Sequence, residues 1–251
     1  ITRLFVCLLF LVIARESSAG NCSDVLPPLP DEVATTKAEL IELVLANMDK
    51  WGNATIQAMI DEKVAVLSEW FVDHRPDNEI ELTLGPWSGV WFEEFGFIVL
   101  NYAILSTDRN NTYQVIRDGG YLYNFYVVDF GLLFKRPLVN YLRGEYEIVD
   151  LSNQSTTCGQ SRRNVAYFEF DTGGIIRGDL PPEMDLVSFV DSLENEEING
   201  GFQYSFPEAV GFQFLWNLYV DDELRVAFGV AEEAAEDEGS MFILLREDDM
   251  S

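Results

Sequence analysis

The chain has 251 residues, 43 of them acidic and 16 basic, for a formal charge of −27, and 48% of its residues are hydrophobic. That apolar fraction excludes a disordered acidic chain and predicts a globular fold with a real core. The charge excludes nucleic-acid binding and electrostatic docking on anionic membranes, both of which need clustered Lys and Arg.

Residues 1–19 read as a signal peptide. An apolar run, Leu4 to Ala14, follows Arg3, and the small residues Ser17 and Ala19 stand two apart as a signal-peptidase site requires. The run is shorter than the ~20 residues of a membrane span. The expectation is entry into the secretory pathway. Cys7 then leaves with the signal, and Cys22 and Cys158 remain as an even pair in an oxidising compartment. A bridge and two free thiols both stay open. Sequons begin at Asn21, Asn53, Asn110 and Asn153, and glycans there require surface loops.

Residues 20–34 hold Pro27, Pro28 and Pro30 and read as a linker, with one domain over 35–247. Two helices open the domain. In the first, Leu40, Ile41, Val44 and Leu45 form one apolar stripe, and Thr35 or Thr36 is placed to cap its start. The second spans about Thr55 to Phe71, with Ile56, Met59, Ile60, Val64, Leu67 and Phe71 on one face. Arg75-Pro76-Asp77-Asn78 ends it.

From residue 79 short runs rich in Val, Ile, Phe, Tyr and Trp alternate with turn residues. Expected strands are Ser88–Phe95, Phe97–Leu105, Thr112–Arg117, Leu122–Phe130, Glu145–Leu151, Asn164–Asp171 and Gly174–Arg177. Leu186–Val190, Phe202–Ser205, Gln213–Tyr219, Leu224–Val230 and Met241–Arg246 follow. Gly119-Gly120 and Gly173-Gly174 read as hairpin turns. No helical crossovers separate the strands, so they should be antiparallel and form a sandwich or closed barrel. Ala166, Phe168 and Phe170 share one face, opposite Glu169 and Asp171. Leu224, Val226 and Phe228 share another, opposite Glu223 and Arg225. A barrel of eight to ten strands lined this way has an apolar interior with room for a small ligand.

The final hairpin reads Tyr219-Val-Asp-Asp-Glu-Leu-Arg-Val-Ala-Phe-Gly229, an acidic insert over 230–238, and Gly239-Ser-Met-Phe-Ile-Leu-Leu-Arg-Glu247. It resembles the C-terminal motif of the plastid lipid-associated protein (PAP)/fibrillin family at Tyr219, Asp221, Leu224, Arg225, Gly229, Gly239 and Phe242. Leu84-Gly-Pro-Trp-Ser-Gly-Val-Trp91, with Gly89, resembles the family's first strand. Lys37-Ala-Glu-Leu-Ile-Glu-Leu and Thr112-Tyr-Gln-Val-Ile resemble its opening helix and a later strand. The resemblance covers roughly residues 35–247, and the final hairpin is its specific part. It departs from the family pattern at Phe228, where an Arg is usual, and in the length of the insert.

The resemblance implies a mainly β chain: a lipocalin-like antiparallel β-barrel preceded by two N-terminal α-helices. It also implies association with lipids and isoprenoid-type molecules in plastid lipid bodies and thylakoids. Expected ligand-lining residues are Trp91, Phe125, Phe168, Phe170, Leu224, Val226 and Phe228. Trp91 and Arg225 are expected to stack where the barrel closes, with Asp221 or Glu223 holding the guanidinium. The alternative is an exposed Arg225 balancing its acidic neighbours.

No nucleophile elbow, phosphate loop, dinucleotide fingerprint or metal-spaced Cys set is present, so neither a cofactor nor a metal is expected. The lone histidine, His74, follows a helix and reads as a surface residue. Asp221 and Glu223 do not make an acid–base pair, and the acidic insert lacks the spacing of a calcium loop. The leading expectation is a non-enzymatic carrier or structural protein for a lipid, carotenoid, quinone or fatty acyl ligand. Peripheral association with lipid bodies or membranes goes with it, and the oligomeric state is left open. The alternative is an acidic secreted or surface interaction module that uses the barrel as scaffold. A lipocalin-type enzyme ranks last. The resemblance points to a plastid and the N-terminus to secretion. Residues 20–34 carry Asp24, Asp31 and Glu32 and no Lys or Arg, unlike a transit peptide. Secretory entry is therefore placed first, with the plastid of an alga using ER-routed import as the alternative.

Overall fold

A computed structural model describes residues 26–50, 53–93, 107–128, 138–149, 165–177, 185–195, 197–198, 202–210, 214–230 and 239–247. The expected signal peptide 1–19, Asn21, Cys22, Asn153, Cys158, the expected strand Phe97–Leu105 and insert residues 231–238 lie outside the described residues.

Helix α1 spans Asp31–Leu45 and buries Leu40 and Val44. It begins four residues ahead of the expected cap, inside the expected linker. Thr35 and Thr36 do not cap it. Their hydroxyls donate back to the Asp31 and Glu32 carbonyls at 2.7 and 2.9 Å. Asp31 and Glu32 sit in the first turn, where the helix dipole favours acid. Helix α2 spans Ala54–His74. Asn53 caps it, its Oδ1 accepting from the Thr55 and Ile56 amides at 3.0 and 3.2 Å. Its stripe is Ile60, Val64, Leu67, Trp70 and Phe71, while Met59 is exposed. His74 is exposed and stacks on Trp70 with ring centroids 4.7 Å apart. A short α3, Glu79–Thr83, follows.

Nine strands form one sheet: β1 Gly85–Phe92, β2 Thr107–Arg117, β3 Tyr121–Val128, β4 Leu138–Val149, β5 Val165–Arg177, β6 Phe202–Val210, β7 Phe214–Val220, β8 Leu224–Val230 and β9 Ser240–Arg246. Eight of them close an antiparallel barrel in the order β1-β2-β3-β4-β5-β7-β8-β9, with β9 returning to β1. The extra strand β6 pairs with β5 over Phe170–Ile175, and β7 continues along β5 at Ala166 and Tyr167. The resulting fold is mainly β, with the two expected helices ahead of the barrel.

One hydrogen bond identifies the inner face. Arg225 on β8 donates to Gln114 on β2. Strands β9 and β1 lie between them in the sheet, so the bond crosses the barrel interior. Ile116, Leu122, Phe168, Phe170, Leu215 and Ala227 pack together on that same face from five strands. Helices cover two parts of the outer face. Helices α1 and α2 bury Trp91, Tyr219, Leu224, Val226 and Ile243. On the other side α4, Leu186–Glu194, packs Phe189 and Val190 on Tyr123, Phe125, Val139 and Tyr141.

Residues 186–190 are thus helical, not a strand. Leu186, Phe189, Val190 and Leu193 recur at helical spacing, and the Asp185 carboxylate accepts from the Ser188 amide at 2.7 Å as N-cap. Gly119-Gly120 turns between β2 and β3 with φ of 120° and 87°, as expected. Gly173-Gly174 does not turn. Both residues lie within β5, one continuous strand where two were expected, and the Tyr141 ring lies across Gly174. A methyl group at Gly174 meets that ring at 2.3 Å. Gly174→Ala is expected to cost about 1–3 kcal/mol by overpacking, read from denaturant midpoints. A loss below about 0.5 kcal/mol would show that the ring moves freely.

Candidate functional site

The base of the barrel is the end at which α3, the β2–β3 turn and the β7–β8 turn meet. A buried polar network runs through it. Arg75 Nη1, at the end of α2, donates to both oxygens of Glu79, at the start of α3, at 3.2 Å. Asn217 Nδ2 donates to Glu79 Oε1 at 3.2 Å and to Thr83 Oγ1 at 2.9 Å. Asn217 Oδ1 accepts from Arg225 Nε at 2.8 Å. Arg225 Nη1 donates to Gln114, whose Nε2 donates to Asn124 Oδ1 at 3.0 Å. Glu79 is 0% and Arg225 2% exposed. Burial, and then the nearby Arg246 guanidinium, push the Arg225 pKa down to about 9, so it is still a cation at neutral pH.

Beside this network lies a cavity of about 30 Å³. Ile80, Leu84, Ile116, Leu122, Ala166 and Leu215 make its apolar wall, and Glu79, Thr83, Asn217 and Arg225 its polar end. Tyr146 and Ile148 complete the β4 side. Ile148 is 39% exposed, so the cavity is not sealed there.

Closure of the base rests on a stacked pair. Arg246 lies 3.7 Å over the Trp87 ring. It donates to the Leu84 carbonyl, to the Leu82 carbonyl at 2.5 Å, and to the Asp222 carbonyl at 3.4 Å. Trp87 Nε1 donates to the Thr83 carbonyl at 2.9 Å. A Trp–Arg stack was expected from Trp91 and Arg225, but different residues of β1 and β9 make it. Trp91 faces outward and donates to Gln57 of α2 at 2.8 Å. Asp221 and Glu223 do not hold Arg225, and Arg225 is not a surface residue. Asp221 Oδ1 closes the β7–β8 turn by accepting from the Glu223 and Leu224 amides at 2.9 and 2.8 Å. Its Oδ2 accepts from Tyr219 at 2.6 Å and pairs with Lys37 at 2.7 Å, and Lys37 also pairs with Glu223 at 2.8 Å.

This cluster ties α1 to the final hairpin and makes it pH-sensitive. Burial opposes the Lys37 charge, but hydrogen bonds and attraction from Asp221 and Glu223 outweigh it and raise its pKa. Burial and the Asp221 charge raise the Tyr219 pKa. Above about pH 10 the unfolded chain releases both protons while the folded chain keeps them. Stability is therefore expected to be full below pH 10 and to fall as pH rises through the folded values. Urea midpoints between pH 8 and 11 test this, and Lys37→Met should flatten the fall. A curve that is level to pH 11 would refute the coupling.

Of the expected ligand-lining residues, the structure places Phe168 and Phe170 inside, where their rings meet at 5.4 Å. The others face outward. Leu224 and Val226 are covered by the helical hairpin, Phe125 by α4, and Phe228 packs 5.1 Å from Trp216 on the outer face. The reason lies in β8, which is buried on both faces, so alternation cannot say which face is inner. Among the structural motif residues, Phe242 faces inward and meets Phe92 at 5.5 Å. Gly89 sits at the β1 bulge, and Gly229 lies opposite Leu215 and Ser240. Asn53 is exposed at its helix cap. Asn110 lies within β2, not a loop, and its sequon threonine, Thr112, is buried.

Sequence reading did not single out Glu79, Gln114 or Asn217. Asn217 carried a signal, as a polar residue in the middle of the apolar run Phe214–Val220. Gln114 alternates with the inward Ile116 and was open to the same reading. Glu79 sits in a polar turn segment that carries none. The site gathers hydrogen-bond donors around an apolar slot. Among the described residues no group of His, Cys, Asp and Glu is arranged to hold a metal. Comparisons with family models, curated proteins and solved structures found no match to this chain.

Proposed function

We propose that the chain is a non-enzymatic binding protein for an apolar small molecule of lipid or isoprenoid type, taken end-on at the barrel base. The observation that carries this reading is the apolar-walled cavity with a polar end, open beside Ile148. The resemblance of the final hairpin and first strand to PAP/fibrillin proteins supports it. Inner-face side chains of five strands pack together beside the cavity, and its roughly 30 Å³ takes the end of such a molecule, not its length. The rest lies outside the cavity along the apolar rim of Ile80 and Ile148. Organic extraction of the purified chain, followed by mass spectrometry and rebinding, tests this. A stoichiometric apolar compound is expected. A chain that retains nothing and takes up nothing from a panel of fatty acyl, quinone and carotenoid compounds would end the reading.

The distribution of charge supports a second reading, an interaction module with the barrel as scaffold. Residues 221–250 hold eleven acidic and two basic residues, an excess of charge suited to a basic partner. Loss of partner binding on deletion of 231–238, with ligand uptake absent, would select it. Entry into the secretory pathway through residues 1–19 remains part of the proposal and is tested by imaging the tagged full chain.

A further inference from the structure

Arg225 has five N–H donors and uses two of them, on Asn217 and Gln114, both neutral amides. Among the described residues the other three have no acceptor, although the side chain is almost wholly buried and borders the cavity. Among the described residues Glu79 is the one carboxylate lining the cavity; Arg75 holds both its oxygens, and Glu79 reaches Arg225 only through Asn217 and at a distance by its charge. A buried guanidinium without a carboxylate of its own is costly in an apolar wall.

We infer that Arg225 is the anchor for the carboxylate end of an acidic amphiphile, a fatty or isoprenoid acid, whose head enters the base cavity and whose chain leaves past Ile148. The inference rests on the binding reading above and names its ligand class. A planar carboxylate matches the guanidinium fork. A small planar carboxylate suits a narrow slot of about 30 Å³. The site also explains how a chain of charge −27 accepts an acid: the surface repels anions, but the guanidinium is inside.

The test uses the full chain, stripped of bound lipid, with dodecanoate, dodecanol and acetate as probes at pH 7.5. Dodecanoate is expected to bind at least about tenfold tighter than dodecanol, the difference one charge-assisted hydrogen-bonded pair makes. Arg225→Gln is expected to remove that difference. Ala166→Leu narrows the cavity without touching Arg225 and is expected to weaken dodecanoate. Should Arg225→Gln fail to fold, the wild-type comparison of acid and alcohol and the Ala166→Leu variant decide. Equal binding of acid and alcohol overturns the carboxylate anchor and leaves the binding reading standing. Unchanged dodecanoate affinity in Ala166→Leu overturns the location. Acetate that protects as well as dodecanoate overturns the amphiphile in favour of a free small acid. Binding of no probe overturns the binding reading itself.

Discussion

Trp87→Ala is expected to lower the unfolding free energy by about 3–5 kcal/mol, the range for emptying a buried tryptophan site. Trp87 is 0% exposed and supports two elements at once. Its indole N–H ties β1 to the Thr83 carbonyl at the end of α3, and its face carries the Arg246 guanidinium of β9. Removing the ring takes both the packing and the π face beneath a cation. Arg246 keeps its bonds to the Leu82, Leu84 and Asp222 carbonyls but loses the ring it rests on, and the base of the barrel should loosen. Trp87→Phe keeps an aromatic face and is expected to cost less. Urea denaturation of the three chains measures this. A loss under about 1 kcal/mol for the alanine variant would remove Trp87 from the closure.

Glu79→Leu is expected to cost a similar amount, about 3–5 kcal/mol, for an electrostatic reason. Glu79 is 0% exposed, receives Arg75 on both oxygens, and accepts from Asn217, which in turn holds Arg225. Without the carboxylate, Arg75 loses the acceptor of both its Glu79 bonds, Asn217 loses one of its two, and Arg225 loses the attraction of the nearby charge. Glu79→Leu combined with Arg75→Leu removes one of those cations and is expected to recover part of the loss. The recovered fraction, from a double-mutant cycle, measures the pair itself. If the single and double variants are equally unstable, the cost comes from packing and not from charge.

Much of the fold was legible because its local patterns have one reading. The apolar 3.6-residue stripe through Ile60, Val64, Leu67 and Phe71 yields α2. Gly119-Gly120 between two β-branched and aromatic runs yields the β2–β3 hairpin. Strand β8 was read at its observed ends. The failures came where two patterns compete. Residues 186–190 are apolar enough for a strand, and only the Asp185–Ser188 cap and the recurrence at 189, 190 and 193 distinguish the helix. Gly173-Gly174 has the composition of a turn, but in β5 the glycine gives room to the Tyr141 ring.

The candidate site was harder to read for a related reason. A strand pattern shows that Leu224, Val226 and Phe228 share one face and Arg225 and Ala227 the other. It does not show which face closes on itself. Hydrophobicity favours the first set for the interior, yet those residues pack under α1 and α2, and the guanidinium goes inside. The strand is covered on both sides, so burial alone cannot sort its faces, and the sort was made by partners distant in sequence. Gln114 lies 111 positions from Arg225, and Glu79 lies 138 from Asn217.

The sequence by itself determined the class of the chain: an acidic, apolar-cored, mainly antiparallel β domain behind two helices. Charge balance, period-2 alternation and helical stripes are local properties, and they survive without the rest of the fold. Only the tertiary structure decided the closing order of the strands, the Trp87–Arg246 stack in place of Trp91–Arg225, and the burial of a cation in the barrel. Those depend on contacts between elements, whose free energy comes from neighbours that no local window contains.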